Sequence, residues 1–238
     1  MNEYLMKLAE DFKISFTNNF ITDDRWQYLT KGLLVTLEIT FFAVLIGIIL
    51  GFIIAVIRTT YDKTKKFKVL NAICKLYITI IRGTPVVLQL LIIYYVVFAT
   101  VAVDKVLAAV VAFGLNSAAY VAEIVRSGIM SVDPGQMEAG RSLGFTYGKT
   151  MWYIVLPQAF KNILPALGNE FIVLLKETSV SGYIALADLT KGGEYIRSRT
   201  YDAFMPLIAV ALIYLGIVML LTYLVNKLER RLSKSDRG

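Results

Sequence analysis

From Leu33 to Ile57 the chain carries one charged residue, Glu38, in twenty-five consecutive positions. About 20 apolar residues wound as a helix span the hydrocarbon of a bilayer, and every backbone polar group must be satisfied internally there. A run of this length without alternation points to an all-α integral membrane protein. Composition agrees: 57% of the 238 residues are hydrophobic and 18% charged, and the mean hydropathy is +0.62, outside the range of an ordinary soluble domain. The net charge of +7 sits in clusters flanking apolar spans, not on a soluble face. That pattern fits cytoplasmic loops and excludes nucleic acid as a partner.

The same run carries Ala43, Gly47, Gly51 and Ala55 at four-residue intervals, a small-residue stripe that lets another helix approach closely. Four further spans are expected, at about 69–99, 106–130, 162–186 and 203–225. The second is interrupted by Arg82-Gly83-Thr84-Pro85, which is expected to kink it. In the third, Asn116, Tyr120 and Glu123 share one face, while Glu123 and Arg126 stand three apart and can simply pair. The fourth holds Asn169, Glu170, Lys176 and Glu177, too polar to face lipid. The fifth is nearly uncharged and is the best lipid-facing candidate. Residues 1–31 form an amphipathic segment suited to the bilayer surface, without the apolar core of a signal peptide. Residues 188–202, with Gly192-Gly193, suggest an external loop, and 229–238 a basic cytoplasmic tail. Basic clusters at 58–68 and 227–238 put the N-terminus outside and the C-terminus inside.

Several chemistries are excluded. No histidine is present, which removes most zinc sites and serine–histidine triads, and no metal-binding residues are expected. A single cysteine, Cys74, allows no disulfide framework. No Gly-x-x-x-x-Gly-Lys-Ser/Thr loop appears, so any ATP is bound by another polypeptide.

Between the third and fourth spans lies a soluble-looking island at about 131–160. Asp133 can cap a short helix, Pro134 suits its first position, and Gly144 can end it with positive φ. Thr146 can cap a second short helix running to a break at Pro157. Glu138-Ala139-Gly140, then Gly144 after three residues, then Ile154-Val155-Leu156-Pro157 after nine, resembles the EAA loop of permease subunits from ATP-binding cassette (ABC) importers. Gly140 stands where that family usually has alanine, a change expected to loosen the helix by roughly 1 kcal/mol. Arg-Gly-Thr-Pro with Gln89, Ala-Tyr-Val-Ala-Glu-Ile-Val-Arg at 119–126 and Leu-Lys-Glu-Thr-Ser at 175–179 resemble the polar-amino-acid branch.

The resemblance covers about residues 30 to 228. It implies a type I importer fold with five transmembrane helices in the bacterial inner membrane and no catalytic residues. The partners it implies are a cytoplasmic ATPase dimer that binds ATP and Mg, a second permease subunit and an extracellular or periplasmic substrate-binding protein. Glu138, Ala139, Gly140, Gly144, Ile154, Leu156 and Pro157 would couple to the ATPase. Arg82, Asn116, Tyr120, Glu123, Asn169, Lys176 and Glu177 are the candidate substrate residues. Glu38, Glu123, Glu170 and Glu177 outnumber Arg82 and Lys176 within the spans, which favours a cationic amino acid such as arginine, lysine or histidine. Glutamine or another solute remains an alternative, as do a membrane-embedded enzyme using Glu123, Glu170 and Glu177 and an ion channel.

Overall fold

A computed structural model describes residues 2–234, so the last four residues of the expected tail lie outside the described residues. The described residues form helices α1 (Asn2–Phe16), α2 (Trp26–Thr64), α3 (Lys68–Gly83), α4 (Val86–Ile92), α5 (Lys105–Met130), α6 (Pro134–Ser142), α7 (Tyr147–Thr150), α8 (Leu156–Glu177), α9 (Leu189–Thr200) and α10 (Phe204–Lys234). Single π-turns extend α1, α4 and α7, and a 3-10 turn, Thr178–Ile184, follows α8. Because α2 begins at Trp26, the boundary expected after residue 31 falls inside a helix.

The centre of the bundle is α5, which packs along α2 and also meets α8, α3 and α4. Its most apolar window is 72% buried, against 11% for α10. Sequence explains the closeness of α2 and α5. Ala43, Gly47, Gly51 and Ala55 are all buried, and a Cβ at Gly47 would lie 2.7 Å from Ser117 Oγ. One at Gly51 would lie 2.6 Å from Val121 Cβ. Phe113 on α5, wholly buried, fills the cluster formed with Ile39, Leu90, Leu174 and Ile184.

Among the described residues, three helices are long and apolar enough to cross a membrane: Trp26–Asp62, Lys105–Met130 and Phe204–Leu232. The second expected span is broken, not kinked. Between Lys68–Gly83 and Val86–Val97 the chain turns by 111°. Thr84 is extended (φ −124°, ψ 149°), as a residue before proline prefers, and so is Pro85 (φ −63°, ψ 136°). Two extended residues in succession end a helix outright. Gln89 then reaches back: its Nε2 donates to Ile81 O at 2.7 Å and to Thr84 O at 3.0 Å, satisfying carbonyls that the break exposes.

The expected external loop at 188–202 is instead helix α9. Asp188 caps it, accepting from Thr190 N at 3.3 Å and Lys191 N at 3.0 Å. The paired glycines that suggested a loop are buried contacts. A Cβ on Gly192 would lie 2.4 Å from Tyr28 O, and one on Gly193 2.5 Å from Val210 Cγ2. Backbone cannot step aside as a side chain can, so Gly192→Ala is expected to destabilise the α2–α9 contact by about 1–2 kcal/mol. Thermal unfolding in detergent measures this, and an unchanged midpoint would contradict the packing.

Candidate functional site

The island between α5 and α8 folds from its own capping residues. Asp133 Oδ1 accepts from Gly135 N at 2.7 Å and Pro134 occupies the first turn of α6. At the other end Gly144 has φ +85°. Phe145 N donates to Gly140 O at 3.1 Å and Gly144 N to Arg141 O at 3.0 Å, the paired bonds of a Schellman stop. Thr146 caps α7, accepting from Lys149 N at 3.4 Å.

The expected break at Pro157 does not occur. The helix winds on through a π-turn, Met151–Val155, into α8 with Pro157 in its first turn. The wider turn makes room for the proline ring and absorbs its missing N–H. Gly140 on α6 is buried. A Cβ there would lie 2.5 Å from Thr150 Cγ2 and 2.9 Å from Ile154 Cδ1, so its absence lets α6 close onto the following turn.

The motif thus divides by direction. Glu138, Ala139 and Pro157 are exposed, Gly140 faces inward, and Ile154 and Leu156 are half-buried. Leu143 (78% exposed) and Phe145 flank Gly144 on the outer surface, with Trp152 and Tyr153 also exposed nearby. These apolar residues were not singled out from sequence, because nothing in a short polar island shows which way its hydrophobic residues point. Gln158 Nε2 donates to Gln136 Oε1 at 3.2 Å, tying α8 to α6. Burial raises the Tyr147 phenol above its ordinary value, so it stays neutral.

A second site lies between α3, α5 and α8. Arg82, Tyr120 and Glu123 line one cavity of about 480 Å³ together with Ser127, Ser131 and Asn162. The Arg82 guanidinium stands 5.3 Å from the centre of the Tyr120 ring, within cation–π range. Glu123 is held by Arg58, and its Oε2 lies 3.5 Å from Arg126 Nε, while Arg126 Nη1 lies 3.6 Å from Asp62 Oδ2. The pairing of Glu123 with Arg126 was legible from spacing; Arg58, sixty-five residues away on α2, was not.

The remaining candidates are elsewhere. Asn116 is buried beneath the helix break and donates to Gln89 Oε1 at 2.9 Å. Asn169 and Lys176 are exposed on α8 and Glu177 is half-buried, and none of them lines this cavity. Glu170 is buried and accepts from Ser117 Oγ at 2.9 Å. Glu38 is exposed on α2. The acid surplus counted from sequence is therefore dispersed: only Glu123 reaches the cavity, and two arginines flank it.

Residues 47–234 match the family described as binding-protein-dependent transport system inner membrane component, and the chain belongs to it. It is 41% identical to the arginine transport system permease protein of Bacillus subtilis (strain 168), over 88% of this chain and 94% of that one. Identity to the L-cystine transport system permease protein of the same organism is 38%, over 88% of each. For the glutamine transport system permease protein of Escherichia coli (strain K12) it is 35%, over 86% of this chain and 92% of that one. Among solved structures, an amino acid ABC transporter crystallised with histidines aligns with a TM-score of 0.81 at 43% identity, over 89% of this chain and 98% of that one. A methionine ABC transporter in inward-facing conformations aligns with a TM-score of 0.75 at 21% identity, over 87% and 97%, a likeness of fold. The chain is thus a non-enzymatic permease subunit of an amino acid ABC importer with the all-helical type I fold, and the ATPase is a separate subunit.

Proposed function

We propose that this chain forms the pathway for a polar L-amino acid, with arginine the first candidate, in a bacterial inner membrane. The observation that carries the site is the cavity where Arg82 lies over Tyr120 beside Glu123. An α-carboxylate fits the Arg82 guanidinium, and Tyr120, Asn162, Ser127 and Ser131 supply neutral hydrogen bonds. Asn116 acts indirectly, holding Gln89 and hence the break beside Arg82. Asn169 and Lys176 form an exposed stripe on α8, with half-buried Glu177 beside it, that would meet the second permease subunit or the pathway between the two. A homodimer or a pseudo-symmetric heterodimer encloses that pathway.

Five spans, counting α3–α4 and α8 as one each, leave the N-terminus outside and the C-terminus inside. In support, α9 meets the first turns of α2 and α10, whereas Arg58, Asp62 and the island cluster at the opposite end. There Glu138, Ala139, Leu143 and Phe145 face the ATPase, while Gly140 and Ile154 hold α6 in place. Leu156 and Pro157 start the rigid helix that carries its movement to the cavity. ATP and Mg bind to the ATPase, and a substrate-binding protein delivers the solute from outside. Alternating access moves it across.

A second reading is favoured by the Arg58–Glu123–Arg126 contacts. With Glu123 so committed, a neutral polar solute such as glutamine or cystine fits the cavity as well as a cation. Amino-acid-stimulated ATP hydrolysis by the reconstituted importer, with its cognate binding protein, separates the two. Arginine stimulating more than glutamine and glutamate supports the first reading, and glutamine stimulating best supports the second. Arg82→Gln should weaken the response to every amino acid by about tenfold, the loss of a charge-assisted bond. An unchanged response in that variant would remove Arg82 from the site.

A further inference from the structure

Helix α1 lies outside the residues matched by the family model, which begins at residue 47. Leu5, Leu8, Phe12 and Phe16 recur every three or four residues on one face, with Tyr4 beside them, and all are exposed. Glu3, Lys7, Glu10 and Asp11 lie on the other face. A lone helix of this length is marginal in water, and its apolar residues stay exposed even where Phe12, Phe16 and Phe20 stack on one another.

The root of α1 is nevertheless fixed. Asn19, buried, donates to Asp202 Oδ2 at 2.7 Å and accepts from Thr200 Oγ1 at 2.8 Å. Ser15 Oγ donates to the same Asp202 oxygen at 2.9 Å. Phe20 is packed with Leu29, Leu189, Ile196 and Val210. Asp202 lies two residues before α10, the least buried of the apolar spans, whose first turns expose Phe204, Leu207 and Ile208. The apolar face of α1 is therefore joined, through a rigid polar clamp, to the point where a lipid-facing helix enters the bilayer.

We propose that α1 is a bilayer-surface anchor, its Leu5–Leu8–Phe12–Phe16 face seated at the headgroup–acyl boundary of the leaflet where α10 begins. The two lysines of α1 are outnumbered by its three acids, Glu3, Glu10 and Asp11. Apolar burial, not attraction to anionic lipid, therefore holds it. The Asn19–Asp202 clamp sets its height against the bundle.

The test uses the full chain in phosphatidylcholine nanodiscs, in a Cys74→Ala background, with an environment-sensitive fluorophore on Leu8→Cys, Phe12→Cys or Glu10→Cys. Lipid carrying a shallow nitroxide should quench the labels at positions 8 and 12 about threefold more than the label at 10, as for a helix lying in the interface plane. Adding phosphatidylglycerol should leave that ratio unchanged. Equal quenching at all three positions overturns the proposal. So does a disulfide between two copies at position 8, which would assign the face to a second subunit. Shielding of position 8 only when the binding protein is added overturns it as well.

Discussion

Gly144→Val is expected to lower transport at least about tenfold while leaving the helical bundle intact, because a tenfold loss needs only about 1.4 kcal/mol. Gly144 sits at φ +85° with no atom within 4 Å of its would-be Cβ, so the penalty is wholly in the backbone. A β-branched residue in the left-handed region costs about 1–2 kcal/mol. The chain escapes that cost by abandoning the turn. The bonds from Phe145 N to Gly140 O and from Gly144 N to Arg141 O are then lost together. Leu143 and Phe145, exposed on either side of the glycine, swing away from their positions on the face proposed to meet the ATPase. Gly144→Asn is the control, since asparagine tolerates positive φ and should keep most of the activity. Transport and binding-protein-stimulated ATP hydrolysis in proteoliposomes measure the effect, with thermal unfolding alongside. Wild-type transport by Gly144→Val would mean that the turn does not set the coupling surface.

That turn was legible from sequence because each of its parts is local. Asp133, Pro134, Gly144 and Thr146 act on backbone within three or four residues, and their chemistry needs no tertiary partner. The small-residue stripe on α2 was legible for a similar reason: only close approach explains Ala43, Gly47, Gly51 and Ala55 in one row. The same residue type misled at Gly192-Gly193, where glycine serves the approach of Tyr28 and Val210 and not a loop. Pro157 misled too, because a π-turn upstream absorbs it and no sequence rule marks where one forms. The cavity was half legible. Tyr120 and Glu123 share a helix face by periodicity, but Arg82 joins them only because α3 packs against α5. The pairing that decides the charge of the site, Arg58 with Glu123, depends on how α2 and α5 are aligned. Spacing within either helix carries no information about it.

That pairing gives the second large expectation: Glu123→Gln should destabilise the protein by about 2–3 kcal/mol and weaken transport of every amino acid alike. Removing one partner of a buried ion pair costs about 3–5 kcal/mol, and the cost here falls to or below the bottom of that range because water reaches both groups. The Arg58 and Glu123 side chains are 17% and 26% exposed. Glutamine keeps the shape and one acceptor, yet takes from Arg58 and Arg126 the carboxylate they share, while Asp62 stands 3.6 Å from Arg126. Arg58→Gln should therefore rescue part of the defect. In a double-mutant cycle the pair should fall short of additivity by about 1 kcal/mol or more. A carboxylate that served only as counter-charge to a cationic solute would behave differently. Glu123→Gln would then leave thermal stability untouched, and the response to arginine and lysine would fall while that to glutamine held. Thermal unfolding and amino-acid-stimulated ATP hydrolysis, measured on the same preparations, distinguish a latch between α2 and α5 from a specificity residue in the cavity.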